Sequence, residues 1–326
     1  MSRRGALTTA GERVFIETEP AWVSRLIDEC AGPELRPDEL LPTANILVER
    51  NRRRFEANGW FQLTRGAWSG DRALMMRNVC ASGFDLLLRW RTDRPHFGFR
   101  WRPPLRERAA SSIMRARARL LARAALVHYP ALWMASTRGR VPLHVSACVV
   151  GDESVVLAGA SGMGKSTLIS RELSAGARIV SDNLCVSDGT TVWGVVEPLR
   201  IEGGTGRRMP HGRREAAGAD RLASLVPDRL LVLRRGQGSE LVVRECEPEA
   251  AVRALIASTY IAGELRRYWG FAATLATATG WGPIHPSIEG VARALASSVP
   301  CVEAVLPRLA GVRLGDLLSE SQRASA

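Results

Sequence analysis

Lysine is almost absent from this chain. Of the 45 lysine and arginine side chains in 326 residues, Lys165 is the single lysine. Because the two residues usually interchange on protein surfaces, a sequence that uses arginine everywhere else marks Lys165 as a position where the exchange is not tolerated. A compact ammonium on a flexible stem can follow phosphate oxygens, whereas the planar guanidinium is larger and more rigid.

Other absences limit the class of protein. No apolar run approaches the length of a membrane span, and the first residues lack the apolar core of a signal peptide, so we expect a cytoplasmic protein without a membrane partner. The six cysteines form no C-x-x-C pair, which argues against a zinc site and a disulfide framework. With 46% hydrophobic and 24% charged residues, the composition is that of a globular protein.

The net charge of +12 is the main compositional excess. A basic protein is attracted to nucleic acid, to acidic peptides or to anionic membrane surfaces. A coding bias towards arginine gives the same composition without any functional meaning. The net charge alone therefore does not identify the partner.

Lys165 belongs to a complete G-x-x-x-x-G-K-S loop, with Thr167 directly after it. Its residues are Gly159, Ala160, Ser161, Gly162, Met163, Gly164, Lys165 and Ser166. The apolar run 154–158 before the loop predicts a buried strand, and the spacing after Lys165 predicts a helix that ends near Gly176. Strand, loop and helix in this order are the context that the phosphate-binding loop requires. We expect the loop amides and Lys165 to bind nucleotide phosphates and the Ser166 hydroxyl to bind Mg²⁺.

The chain divides into regions of different pattern. Alternating apolar residues and turn signals over 45–102 predict an antiparallel meander, and the first forty residues show one helix near 22–30. We predict an α/β fold with an N-terminal β-rich (α+β) domain at 1–104, a connecting helix at 105–140, a P-loop domain at 141–318 and a frayed tail at 319–326. Arg115, Arg119 and Arg123 recur every four residues on the connecting helix, which is typical of a solvated face.

Polar residues stand at two predicted strand ends beside the loop. His144 lies at the start of the apolar run 145–150, and Ser181, Asp182 and Asn183 follow the run 177–180. In open α/β sheets the carboxyl ends of strands line ligand crevices, so Asp182 is a candidate catalytic carboxylate. An Asp-Asn pair is also common in turns and helix caps, and a single histidine is often only a buried one.

The order of a strand with histidine, a strand, the P-loop, a helix and a strand with aspartate resembles the HPr kinase/phosphorylase family and its relatives in peptide-tailoring gene clusters, such as those for lasso peptides. The resemblance covers about 141–205 and implies a kinase domain that uses ATP and Mg²⁺. It implies that Asp182 accepts the proton of an attacking hydroxyl, with His144 beside it. Asn183 stands where the family has a second aspartate, which bears on the reverse, phosphorolytic reaction more than on forward transfer.

A glycine-rich segment follows, and it loosely resembles a signature loop of the same family. Within it, Glu197 and Glu202 join Ser166 and Asn183 as candidate Mg²⁺ ligands, since Mg²⁺ accepts one or two carboxylates besides phosphates and water. Its arginines Arg200, Arg207 and Arg208 are candidates for neutralising the transferred phosphoryl group or the acceptor. A solvated basic loop has the same composition.

The sequence thus favours an ATP- and Mg²⁺-dependent kinase that phosphorylates a hydroxyl, a serine by resemblance, on a peptide or small protein, for which the arginine-rich surface suits an acidic acceptor. A free amino acid or another small alcohol is an alternative acceptor. A P-loop ATPase, a nucleotide switch or an ATP binder without turnover is a second class. A nucleic-acid partner is disfavoured because no basic motif with interleaved aromatic residues is present. A homo-oligomer is a further expectation from the resemblance, since family members often assemble into oligomers.

Overall fold

The computed structural model describes residues 2–37, 41–91, 94–201, 206–209, 214–216, 221–307 and 311–324. The architecture is mixed α/β, with helices packed on several sheets. No helix within these ranges is both long and apolar enough to cross a membrane.

The N-terminal region forms a sheet of order β3-β1-β2-β4-β9-β8-β7-β6-β5 with one helix inserted early in the chain. The elements are β1 (Arg3–Thr9), β2 (Glu12–Thr18), α1 (Ala21–Ala31), β3 (Leu35–Arg36), β4 (Ala44–Glu49), β5 (Phe61–Thr64), β6 (Ala67–Gly70), β7 (Ala73–Met76), β8 (Phe84–Arg91) and β9 (Arg94–Trp101). Strands β5 to β9 confirm the antiparallel meander. Strand β4 differs, because it pairs in parallel with both β2 and β9. The helix α1 lies between β2 and β4, and such a crossover returns the chain in the same direction.

The hairpin of β1 and β2 lies in the segment for which only a helix was expected. Its two-residue turn places Ala10 at φ 55° and Gly11 at φ 70°, the positive values that a tight hairpin turn of this kind needs. The usual sequence signal for this turn is Asn-Gly or Asp-Gly, and Ala-Gly lacks it. The sequence pattern therefore gave no turn signal, although β2 buries alternate side chains.

The connecting segment is divided rather than one continuous helix. It comprises α2 (Leu105–Ile113), α3 (Arg115–Arg123), a π-helical turn (Ala124–His128) and α4 (Tyr129–Ser136). Met114 leaves the helical region at φ −101° and ψ 56°, which ends α2. Pro130 lacks an amide hydrogen, and its ring would collide with the Leu126 carbonyl in a regular helix. The wider π turn before Pro130 accommodates this ring.

The region after residue 140 is built on a six-stranded sheet of order β13-β11-β12-β19-β21-β20. The elements up to the middle of the region are β10 (Val141–Leu143), β11 (Ser146–Val150), β12 (Glu153–Ala158), α5 (Lys165–Leu173), β13 (Arg178–Ser181), β14 (Cys185–Ser187), β15 (Val192–Gly194), β16 (Leu199–Ile201), β17 (Arg214–Ala216) and β18 (Ser224–Leu225). The remaining elements are β19 (Arg229–Arg235), β20 (Val242–Glu245), α6 (Pro248–Ile261), α7 (Tyr268–Thr279), α8 (Ile288–Ser298), β21 (Cys301–Leu306) and α9 (Leu314–Ala324).

Strand β12 is the centre of this region and is buried on both faces. It pairs in parallel with β19 and antiparallel with β11. Val155 and Leu157 face a core shared with α5 and α9, whereas Val156 and Ala158 face a core shared with α6 and α8. A strand covered on both faces reads as a continuous apolar run, which is why the sequence predicted it.

The last helix, α9, corrects the expectation of a frayed tail at 319–326, because it continues to Ala324. Leu317 and Leu318 are buried against α5 and the sheet. The Ser321 hydroxyl accepts a hydrogen bond from the Arg229 guanidinium at 2.5 Å. These contacts fix α9 against the rest of the region.

The N-terminal sheet and the region after residue 140 share a hydrophobic core, in which Trp133 of α4 is fully enclosed. The hairpin turn also contacts the later region through its backbone. The Ala10 amide donates to the Gly194 carbonyl at 2.7 Å, and the Val196 amide donates to the Thr9 hydroxyl at 2.9 Å. The N-terminal hairpin thus fixes the backbone just before Glu197.

Candidate functional site

The loop between β12 and α5 has the backbone shape of a phosphate cradle. Gly159 has φ 147°, and a Cβ there would lie 2.8 Å from the Leu233 carbonyl oxygen of β19, so only glycine fits. Gly164 precedes the first residue of α5 with φ 107°. The Lys165 ammonium donates to the carbonyls of Gly159 and Ala160, the latter at 3.4 Å, and folds back over the loop. The N-terminus of α5, the loop and the Lys165 ammonium therefore lie together, as in an anion-binding site.

A cavity of about 240 Å³ opens in front of this loop. The described residues that line it are His144, Ser161, Gly162, Gly164, Lys165, Ser166, Thr167, Leu168, Arg171, Asn183, Arg200, Arg235, Glu264, Leu306 and Val312. We call it the loop cavity. It holds one lysine and three arginines against the single carboxylate of Glu264, counted over those residues. The positive electrostatic field of the loop cavity therefore favours the binding of a polyanion.

The strand ends beside the loop are joined by hydroxyl contacts. Strand β11 lies between β12 and β13, and its Ser146 hydroxyl donates to the Asp182 carbonyl at 2.6 Å. The Ser166 hydroxyl of α5 donates to the same carbonyl at 3.4 Å. The backbone of Asp182 therefore adjoins the first turn of α5.

The Asp182 carboxyl is 2% exposed and is absent from the described lining of the loop cavity. Its Oδ2 accepts the Arg200 amide at 3.0 Å, whereas its Oδ1 is buried without a hydrogen-bond partner in the part of the chain that the structure describes. Burial and the neighbouring Glu197 carboxylate raise the pKa of Asp182, although Arg200 opposes them. A carboxylate of raised pKa is a stronger proton acceptor than an ordinary aspartate.

His144 lies in the wall of the loop cavity, and its Nδ1 is buried with no partner among the described residues. Burial, together with the positive charge of Lys165, lowers the pKa of His144 to about 4. The imidazole is therefore neutral near pH 7. It adds no positive charge to the cavity and can accept or donate a hydrogen bond.

At the wall of the loop cavity, Arg200 is held between two carboxylates. Its guanidinium donates to Glu197 Oε2 at 2.6 Å and to Glu264 Oε1. Asn183 Nδ2 donates to the other Glu197 oxygen at 2.9 Å. Although burial opposes its ionised form, Arg200 and the further positive charges hold the pKa of Glu197 at about 2. Glu197 is thus a charged structural anchor for Arg200.

The structure brings most of the predicted site residues together but not all of them. Glu197 is enclosed and committed to Asn183 and Arg200, so it does not reach the loop cavity as a metal ligand. Arg207 lies elsewhere, with its guanidinium on the Glu29 carboxylate at 2.5 and 2.8 Å. Arg208 is exposed and also lies outside the described lining. Glu202 lies outside the described residues.

Three charged lining residues were not anticipated from the sequence: Arg171, Arg235 and Glu264. Arg235 ends β19, the parallel neighbour of β12, so the strand-end rule that selected Asp182 could have found it. Glu264 sits after Gly263, in the break between α6 and α7. An acidic residue in a helix interruption is a weak signal, and a helical pattern across 260–269 concealed it.

No family model and no curated protein matches this chain. No cluster of three or more histidine, cysteine, aspartate or glutamate side chains suited to a metal occurs within the described ranges. The Ser166 hydroxyl and the Asn183 side chain are at the loop cavity, and Asn183 turns its Nδ2 to Glu197, which leaves its amide oxygen for a cation. These two oxygens fit Mg²⁺ that is otherwise held by phosphates and water.

Proposed function

We propose that this protein is an ATP- and Mg²⁺-dependent kinase that transfers the γ-phosphoryl group to a hydroxyl, a serine by resemblance, of a peptide or small protein. The observation that carries the proposal is that the single lysine, the helix N-terminus of α5, His144, Asn183 and Arg200 meet at one cavity. A P-loop identifies the donor, and the neighbouring side chains supply what transfer to an acceptor needs.

Each residue has a task in this proposal. The loop amides and Lys165 bind the phosphates, and Ser166 and Asn183 hold Mg²⁺, which neutralises charge on the phosphate oxygens. Arg200 lies at the cavity wall, where its guanidinium stabilises negative charge on the transferred group. The acceptor oxygen bonds to the γ-phosphorus as the bond to the β-phosphate oxygen breaks, and ADP leaves.

The proton of the acceptor hydroxyl passes to a carboxylate. The resemblance makes Asp182 the first candidate; its pKa is raised and its Oδ1 has no partner among the described residues, although it lies outside the described lining of the loop cavity. His144, which is neutral and lies in the wall of the loop cavity, orients the reacting groups. Glu264 lines the cavity but is already engaged with Arg200, so it is the second candidate.

We also infer an HPr kinase-like domain and a cytoplasmic location. The order of β11, β12, the loop, α5 and β13, with His144 and Asp182 at strand ends, supports an HPr kinase-like domain. All six cysteines are free thiols, most of them buried, which suits the reducing cytoplasm.

The test is incubation with MgATP and candidate serine peptides, followed by mass spectrometry of the peptides and of the protein. Free serine and other small alcohols serve as parallel acceptors. We expect phosphorylated peptide with the wild type and none with Lys165→Ala. Hydrolysis of ATP, or its binding alone, without transfer to any acceptor would contradict the kinase and favour an ATPase or a nucleotide switch.

A further inference from the structure

A second, larger cavity adjoins the loop cavity. It has a volume of about 720 Å³ and shares Ser161, Gly162, Arg200 and Glu264 with the loop cavity as common wall. We call it the side cavity. A molecule in the side cavity would meet the P-loop and Arg200 directly, so the side cavity lies where a phosphoryl acceptor must approach.

The walls of the side cavity are largely apolar. Leu120, Leu121 and Ala124 come from α3 and the π-helical turn, and Leu184 and Met209 come from the later region. The loop cavity is smaller and surrounded by charged and hydroxyl side chains. Because apolar walls gain free energy by covering apolar groups, the side cavity suits a ligand with an apolar body rather than a second nucleotide.

Two arginines add a specific charge to these apolar walls. Arg117 and Arg267 line the side cavity, and neither has a carboxylate partner among the residues that the structure describes. Two other arginines of α3 do have carboxylate partners. Arg119 pairs with Glu29, and Arg123 pairs with Glu215 at 2.6 Å. Unpaired arginines at a cavity are suited to a carboxylate or another anion.

A further hollow adjoins the side cavity. Arg117, Leu121 and Arg267 line this hollow of about 530 Å³, which reaches Trp22 and Trp101 of the N-terminal region. A free amino acid would fill only part of this space, since cavities of ~300–1,000 Å³ already enclose drug-sized ligands. An extended segment suits two adjoining hollows better than a single residue does.

From these observations we infer that the side cavity is the acceptor site, and that the acceptor is a peptide segment with an apolar side chain and an acidic group near the phosphorylated hydroxyl. The inference rests on the proposed kinase function and names its substrate class. The apolar side chain lies against Leu121, the acidic group against Arg117 and Arg267, and the hydroxyl at the shared wall of Arg200 and Glu264.

Affinity selection from a synthetic library of serine-containing peptides tests this inference without requiring turnover. The protein is loaded with Mg²⁺ and a non-hydrolysable ATP analogue, and the retained peptides are sequenced by mass spectrometry. We expect retained peptides to share an apolar residue and Asp or Glu. Arg267→Gln should weaken their binding about ten-fold, as loss of a charged hydrogen bond does, and Leu121→Asp should weaken it at least as much.

Matched controls are Arg253→Gln on α6 and Ile284→Asp, which make the same chemical changes at exposed positions outside the side cavity. Unchanged melting temperature and unchanged affinity for the ATP analogue exclude misfolding of the Arg267 and Leu121 variants. Peptide binding that is indifferent to both variants, or the absence of any retained peptide, would overturn the inference.

Phosphoryl transfer to the same library separates this inference from the kinase proposal. If the Arg267→Gln and Leu121→Asp variants still transfer the phosphoryl group at the wild-type rate, the acceptor-site inference is wrong and the kinase function is supported. Retention that depends on Arg267 without any transfer would refute the kinase function and leave a peptide-binding cavity. Transfer and retention lost together in the side-cavity variants, but not in the controls, would support both.

Discussion

The loop cavity and the side cavity share one wall, but they recognise their ligands in different ways. The loop cavity, of about 240 Å³, is built around a helix N-terminus and a backbone loop, so its ligand is held by amides and by one ammonium. The side cavity, of about 720 Å³, is lined largely by residues of α3, the π-helical turn and loops that are separate along the chain. Changes in the loop cavity should therefore affect any acceptor equally, whereas changes in the side cavity should depend on the acceptor.

The largest effect should come from Lys165. Lys165→Ala removes the only ammonium of the loop, and transfer should fall about 10³-fold or more because charge on the phosphates is no longer neutralised. Lys165→Arg keeps the charge but not the shape, so it should restore little of the activity. Steady-state transfer to several different peptides measures this. A loss confined to one peptide would break the distinction between the two cavities.

Asp182→Asn tests the proton acceptor. Transfer should fall about 10²-fold or more, whereas affinity for the ATP analogue should stay within about two-fold of the wild type, because general base catalysis acts on the transition state. The kcat of transfer and the Kd of the analogue are measured side by side. Ser187→Ala, at another buried polar position, controls for loss of packing. Full activity of the Asp182→Asn variant would indicate that Glu264, and not Asp182, accepts the proton.

Glu264→Gln acts on the wall that both cavities share. Arg200 would keep Glu197 but lose its second carboxylate. We expect a roughly ten-fold rise in the KM of both ATP and peptide, because the guanidinium is no longer fixed between two charged partners. Glu289→Gln on the exposed face of α8 is the matched control. A change in only one of the two KM values would show that the wall serves one cavity alone.

The phosphate-binding part of the loop cavity could be predicted from the sequence because its residues lie close together along the chain. The glycines, Lys165 and Ser166 form one motif, and His144 is found by asking which polar residues flank buried strands. The apolar run of β12 was recognisable for the same reason, since both of its faces are buried. Local pattern and spacing were sufficient there.

The side cavity could not be predicted, because it depends on tertiary placement. Arg123 illustrates the difficulty: the periodicity of α3 indicated a solvated face, yet Arg123 is 2% exposed and paired with Glu215, a residue distant along the chain. Arg117, two positions before Arg119, is instead exposed at the side cavity. No sequence signal distinguishes arginines with such different surroundings. The parallel pairing of β4 was missed for the same reason, since its partner strands are remote in sequence.

The smallest effect we predict concerns stability, and it compares the two cavities through one buried histidine in each. His144 lines the loop cavity and His128 lines the side cavity. Burial lowers the pKa of each to about 4 from an ordinary value of 6.5, with Lys165 adding to the effect at His144 and Arg123 at His128, where Glu197 opposes it. Below pH 6.5 the unfolded chain therefore binds protons that the folded protein does not.

Stability should consequently fall as the pH drops from about 6.5 towards 4, by about 2 kcal/mol for each histidine at pH 5. Urea unfolding at pH 7 and pH 5 measures the loss. His144→Asn and His128→Asn should each remove a similar share of it, and His285→Asn, at an exposed position, is the matched control. Equal shares would show that burial dominates in both cavities. A larger share for His144 would show that the charge of Lys165, which only the loop cavity contains, adds substantially to the cost of protonation.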